Sequence, residues 1–243
     1  MKTSNAIWSI LLGINMLVPR VYAQQRHPAI ISTKIVRLKY QSQTDTLRLP
    51  VVNSSYPALK KAMSYRNLFD GDDLDTVVAN YKNCGCGITW SDYEVAYLGA
   101  DIISIKLFFE TTGAYPDSYR RWHTLDIHTG KAYPIEKELI PAGLTWLYEN
   151  YKHILKQRII ADKSAIPEED ESTFNDLKTS VDTLQRRTLF SMYVFTAKGV
   201  VFSTPPILPH AIRSQEPNRD WFVPYSKLKK FKTVRAKVVR FGL

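Results

Sequence analysis

Cysteine is nearly missing from this chain: two in 243 residues, Cys84 and Cys86, with only Gly85 between them. Two sulfurs fall short of the four ligands a structural zinc site takes, and no C-x-x-C in a βαβ setting marks a thioredoxin-like centre. Closing so short a loop removes little unfolded-state entropy, so a bridge here is no structural staple. Cys84 and Cys86 stand as a disulfide or redox candidate with three readings: a clip on a Gly-rich turn (the favoured one), a labile redox pair, or cross-links between chains. Glycine is also sparse, at ten residues. The chain has no Gly-rich phosphate loop and no G-x-S-x-G elbow, which excludes two common routes to catalysis. Beyond the first 23 residues no apolar run is long enough to span a bilayer.

What is present begins with those 23 residues. Lys2 precedes an apolar stretch from Ala6 to Val18, Pro19-Arg20 breaks it, and Val21-Tyr22-Ala23 offers a peptidase site before Gln24-Gln25. An apolar core of about 13 residues fits a signal peptide and is too short to cross a membrane. The expectation is a cleavable signal over 1–23, cut after Ala23, and a secreted or periplasmic product with no transmembrane segment after its removal. Removing it takes away Lys2 and Arg20 and no acid, leaving a mature chain still well on the positive side of neutral, from +10 for the whole. A basic balance ordinarily points to nucleic acid or an anionic surface. Export argues against nucleic acid and leaves envelope polymers or anionic lipid, or merely a solvated basic face. Lys227, Lys229, Lys230 and Lys232, then Arg235, Lys237 and Arg240, form the densest clusters.

Hydrophobic patterning gives the architecture. Alternation over 29–40 and again over 46–52 predicts a hairpin, Pro57 opens a short helix, and 72–82 predicts a second, stopped by Gly85 and Gly87. Strands follow at 93–97, 102–110 and 122–127, with a tight turn at His128-Thr129-Gly130-Lys131. Leu144, Leu147, Tyr148, Tyr151, Ile154, Leu155 and Ile159 keep a 3–4 spacing, so 144–161 is the strongest helix. The acidic run Glu168-Glu169-Asp170-Glu171 reads as a loop, 174–184 as a helix, and 189–203 as a hairpin. Strands in hairpin order with intervening helices argue an α+β fold: an antiparallel sheet built from hairpins, the long helix at about 144–161 packed on it, and shorter helices. The expected organisation is 1–23 signal, 24–88 an N-terminal hairpin and helices, 89–232 a C-terminal lobe, and 233–243 a basic tail.

Three segments then carry a resemblance. Tyr93-Glu94-Val95 with Ile103-Ser104-Ile105, the turn Asp126-Ile127-His128-Thr129-Gly130-Lys131, and Trp221-Phe222-Val223-Pro224-Tyr225-Ser226-Lys227-Leu228 are similar in order to an extracytoplasmic domain. The chain resembles the RsiV-like domain, also found as the accessory domain of PdaC-type peptidoglycan deacetylases. The resemblance covers nearly the whole mature chain. At Thr112-Gly113-Ala114-Tyr115-Pro116 it departs from the family's usual pattern, since no histidine follows the alanine. It implies a free-standing binding or sensor-like domain of the cell envelope, with peptidoglycan or a lysozyme-like protein as partner. Deacetylase chemistry would need its own domain with paired Asp and His ligands, which this sequence does not hold.

His123, Asp126 and His128 look like a metal cluster, but alternation sends His123 to one face of a strand and Asp126 and His128 to the other. No catalytic residue, metal ligand or cofactor is therefore assigned. With 12% aromatic residues, many of them in the hairpin region, binding by flat rings is the better class. Gly113 and Pro116 suggest a loop that exposes Tyr115, Tyr119, Arg120, Arg121 and Trp122 as the binding residues. The expected function is a secreted or periplasmic, non-enzymatic binding domain for an envelope polymer or envelope-associated protein; the alternative is a peptidoglycan-acting hydrolase or deacetylase-accessory protein.

Overall fold

Gln41 takes a left-handed conformation (φ 51°) and reverses the chain between β1 (Ile31–Tyr40) and β2 (Gln43–Val52), so the hairpin turn is tighter than the polar run 41–45 suggested. The structure is a computed structural model that describes residues 29–114, 116–162, 171–208 and 216–239. The expected signal peptide, Tyr115, most of the acidic run and Arg240 lie outside the described residues.

After the hairpin come α1 (Pro57–Ala62), α2 (Tyr65–Leu68) and α3 (Leu74–Cys84). Pro57 sits in the first turn of α1, where its missing N–H costs no helical bond. Asp73 caps α3 by accepting from the Thr76 amide at 2.9 Å. Gly85 ends α3 in the left-handed region (φ 63°), with the Tyr40 ring where a Cβ would stand. Cys84 and Cys86 are joined in a disulfide across that glycine, at the close of the helix.

β3 (Gly87–Leu98), β4 (Ile102–Thr112) and β5 (Asp117–Asp126) complete a five-stranded sheet in sequence order. All its pairings are antiparallel except β2 with β3, which meet in parallel at Leu47 and Ser91. Three helices carry the chain from β2 to β3, and a crossover of that kind returns the next strand in the same direction. A cut at 88/89 runs through β3, and the sheet takes strands from both sides of it.

The second half holds α4 (Pro141–Asp162), α5 (Glu171–Thr183), α6 (Arg186–Leu189), β6 (Met192–Phe195), β7 (Gly199–Ser203), β8 (Trp221–Pro224) and α7 (Tyr225–Leu228). The last three strands form a separate antiparallel sheet. The fold is α+β as expected, with two sheets rather than one. Two cores accompany them. Ile103, Ile105, Leu107 and Phe109 alternate along β4 to face α1–α3, with Leu47, Leu59 and Tyr81. Leu147, Tyr151, Leu155 and Ile159 of α4 pack with Val200, Phe202 and Val223 of the smaller sheet.

A polar seam joins the halves. Ser104 and Thr124, on the opposite face of β4 and β5, share a hydrogen bond of 2.9 Å. Thr124 Oγ1 donates to the Tyr193 carbonyl at 3.0 Å, and the Phe195 amide donates to Ser104 Oγ at 3.1 Å. Burying these hydroxyls is tolerable because each satisfies a backbone group of β6. The stretch from 233, expected as a basic tail, is docked through 239: Ala236, Val238 and Val239 are buried.

Candidate functional site

The β4–β5 register sets which residues share the face away from the first core. Lys106 opposes Trp122, Phe108 opposes Arg120, and Glu110 opposes Ser118, while Trp90 of β3 lies beside Glu110. β6 covers this face at the Ser104–Thr124 end. Toward the other end it is uncovered, and a cleft of about 420 Å³ opens between the sheets. Trp90, Phe108, Glu110 and Arg120 line it from the larger sheet; Thr204 and Arg219 face them across the gap. Trp90 is exposed, at 37%, and presents its ring to solvent.

Both arginines of the cleft are matched to acids. Arg120 Nη1 donates to Asp220 Oδ2 at 2.9 Å, and Ser203 Oγ donates to the other oxygen at 2.8 Å. Arg219 Nε lies 3.0 Å from Glu216 Oε2, and its Nη1 donates to the Thr204 carbonyl at 2.7 Å. Burial lowers the Arg219 pKa, and Glu216 works against that shift. α4 holds the strip that carries these groups: Arg158 donates to the carbonyls of Asn218 and Asp220, and Tyr151 donates to that of Arg219. The Tyr151 ring also stacks on Trp221 with centroids 5.6 Å apart. The cleft is therefore a groove of rings, donors and acceptors with no surplus cation, since both arginines are paired and Glu110 lies on the same face, and it suits a flat hydroxylated ligand more than an anion.

The residues singled out from the sequence divide. Arg120 lines the cleft, whereas Tyr119 only borders it and sends its ring to the opposite face. Burial raises the Tyr119 pKa, and its ring stacks on Phe109 at 5.0 Å. Arg121 shares the Tyr119 face, away from the cleft, donating to the Leu68 carbonyl at 3.2 Å and to Asp70. Trp122 is buried (6% exposed) between Lys106 and Arg120, whose cations stand 5.6 and 5.7 Å from its ring. The expected loop is a correction: residues 117–126 are strand β5, so neighbouring side chains leave on opposite faces and cannot act as one exposed set. Tyr115 lies outside the described residues. Trp90, Phe108, Thr204 and Arg219 were not picked out as site residues. Alternation along β4 puts Phe108 with Lys106 and Glu110, but only the hairpin register sets Phe108 opposite Arg120.

The segments behind the resemblance prove to be fold elements. Asp126 Oδ1 accepts from the amides of His128 (3.1 Å) and Thr129 (2.9 Å) and from the Thr129 hydroxyl (3.0 Å). Gly130 has φ 65° and lies so close to the Ala58 carbonyl of α1 that a Cβ could not fit. Val223 is buried, and Tyr225 donates to the Thr196 carbonyl at 2.8 Å, tying β8 to the β6–β7 turn. His123 opposes Ile105 on the core-side face, away from Asp126. Among the described residues no group of three or more His, Cys, Asp or Glu side chains is poised for a metal ion.

Comparison with known proteins now bears on the fold. A DUF3298 family protein from Pseudomonas aeruginosa PAO1 is similar in structure, with a TM-score of 0.51 and 16% identity over 84% of this chain and 95% of that one. They share a fold. A member of the same family from Bacteroides fragilis NCTC 9343 scores 0.48 at 12% identity, over 84% of this chain and 93% of that one. No family model matches the chain, and no curated protein does. No helix among the described residues is long and apolar enough to cross a membrane.

Proposed function

We propose that this protein is an exported, non-enzymatic binding domain of the cell envelope, and that the inter-sheet cleft takes a glycan segment of an envelope polymer such as peptidoglycan. The observation that carries the reading is the exposed Trp90 ring on the same face as Phe108, in a groove whose arginines are already neutralised by Asp220 and Glu216. Sugar rings present flat C–H faces to aromatics and hydroxyls to mixed donors and acceptors, and they need no net charge opposite. The RsiV-like resemblance supports the same compartment and class, and the signal-like residues 1–23 support export.

The test is sedimentation of the purified protein with isolated cell-wall sacculi, with the supernatant assayed for fragments. Binding without release, weakened at least tenfold by Trp90→Ala, is expected. Soluble muropeptides or acetate, lost when Glu110 or Asp220 of the cleft is replaced, would install the hydrolase reading in its place. Capture of a lysozyme-like protein with no affinity for sacculi would move the partner from polymer to protein.

A further inference from the structure

Residues 221–243 contain seven Lys or Arg and no Asp or Glu. The structure gathers most of these cations at one turn. After α7, a short 3-10 helix at Lys229–Phe231 leads into Lys232, which bridges Leu139, and the Phe231 carbonyl accepts from the Ile140 amide at 2.8 Å. Thr233 pins the next step: its amide donates to the Glu138 carbonyl at 2.8 Å and its hydroxyl to the Lys137 carbonyl at 2.7 Å. The Ala236 amide returns to the Thr233 carbonyl at 3.3 Å, so Val234 and Arg235 form the tip of a turn. Beyond it, the Glu138 carboxylate, fully buried, accepts the amides of Lys237 (2.8 Å), Val238 (3.0 Å) and Val239 (2.9 Å). The turn is thus anchored on both sides.

What this anchored turn displays has no folding purpose. Val234 is 98% exposed, and Ile140, next to Phe231, is 39% exposed. Lys227, Lys229, Lys230, Lys232 and Arg235 are exposed and make no ion pair among the described residues. Lys137 adds a further exposed cation beside Thr233, and the exposed acid Glu136 precedes it in the chain. A rigid tip with an apolar point inside a ring of unmatched cations is the chemistry of a bilayer surface: anionic headgroups meet the lysines, and the valine enters the acyl boundary. An anionic polymer would use the lysines and leave Val234 without a role.

We propose that the 227–235 turn is a docking tip for an anionic lipid membrane, independent of the cleft. The test is co-sedimentation of the purified protein with vesicles of phosphatidylcholine alone or mixed with phosphatidylglycerol. Expected is binding to the mixed vesicles only, weakened by salt and by roughly fivefold for each cation removed in Lys229→Gln and Lys230→Gln. Val234→Ser lowers vesicle binding but leaves retention on a soluble polyphosphate column unchanged, and its melting temperature matches wild type because the side chain touches nothing. Equal partition onto neutral vesicles overturns the proposal, as does absence of vesicle binding. Undiminished vesicle binding by Val234→Ser also overturns it and assigns the turn to polyanions in general.

Discussion

The cleft and the 227–235 turn use cations in opposite ways. In the cleft, Arg120 and Arg219 are each matched to a carboxylate and held by α4, so the surface offered to a ligand is rings and hydrogen bonds. At the turn, the lysines have no acid partner among the described residues, and the buried carboxylate beneath them, Glu138, is occupied by backbone amides and by the Tyr133 hydroxyl at 2.7 Å. A net charge near +10 therefore says little about any one site. On the two proposals, where the excess lies decides the partner: a neutral flat ligand for the one, an anionic surface for the other.

The largest effect should come from uncoupling the turn from its anchor. Glu138→Ala strands three backbone amides and the Tyr133 hydroxyl in a buried site, and chemical denaturation should show a loss of about 3–5 kcal/mol. Should the variant prove as stable as wild type, Glu138 is no anchor and the contrast loses one side. Opening the disulfide should matter less. The chain-entropy model gives under about 2 kcal/mol for a loop this short, so Cys84→Ser with Cys86→Ser should fold and keep both binding activities.

His123 offers a pH test of the core-side face of β5. Burial, aided by the nearby Arg121 cation, lowers its pKa, so the native state keeps it neutral. The unfolded chain takes up the proton as pH falls below about 6.5. Stability present at neutral pH is therefore lost below that point, by up to about 1.4 kcal/mol per unit, until the native pKa is reached. His123→Gln should flatten that part of the stability curve, while the acid limb from Asp101 and Asp126, both shifted downward, persists at lower pH. An unchanged slope in His123→Gln would mean the ring is solvated. The smallest effect belongs to Arg120 and Asp220. Their side chains are 31% and 33% exposed, so screening limits a double-mutant coupling to about 1 kcal/mol. A much larger coupling would mark the pair as sealed from water.

The sequence revealed the elements better than their assembly. The 3–4 spacing from Leu144 gave α4 almost to its ends, and Pro57, Asp73 and Gly85 marked α1 and α3 through local backbone chemistry. The parallel β2–β3 contact and the docking of the second sheet were hidden because both are long-range: the first pairs Leu47 with Ser91, and the second rests on the Ser104–Thr124 seam with the β6 backbone. For the same reason, only part of the site was legible. Arg120 was named, but strand alternation turned the Tyr119 ring and Arg121 away and buried Trp122, while Thr204 and Arg219 arrive from far along the chain. The segments most suggestive of a family, the Asp126–Lys131 turn and Val223-Pro224-Tyr225, answer to fold closure, so they carry architecture rather than a ligand.

The central claim is that the cleft recognises an uncharged glycan face through Trp90 and its neighbouring rings. Its most direct test is the affinity of wild type and Trp90→Ala for purified peptidoglycan across a salt series. Wild-type binding that barely changes with salt, and that falls at least tenfold in Trp90→Ala, is what a groove without surplus cations predicts. Binding that disappears as salt rises and is indifferent to Trp90 would contradict it.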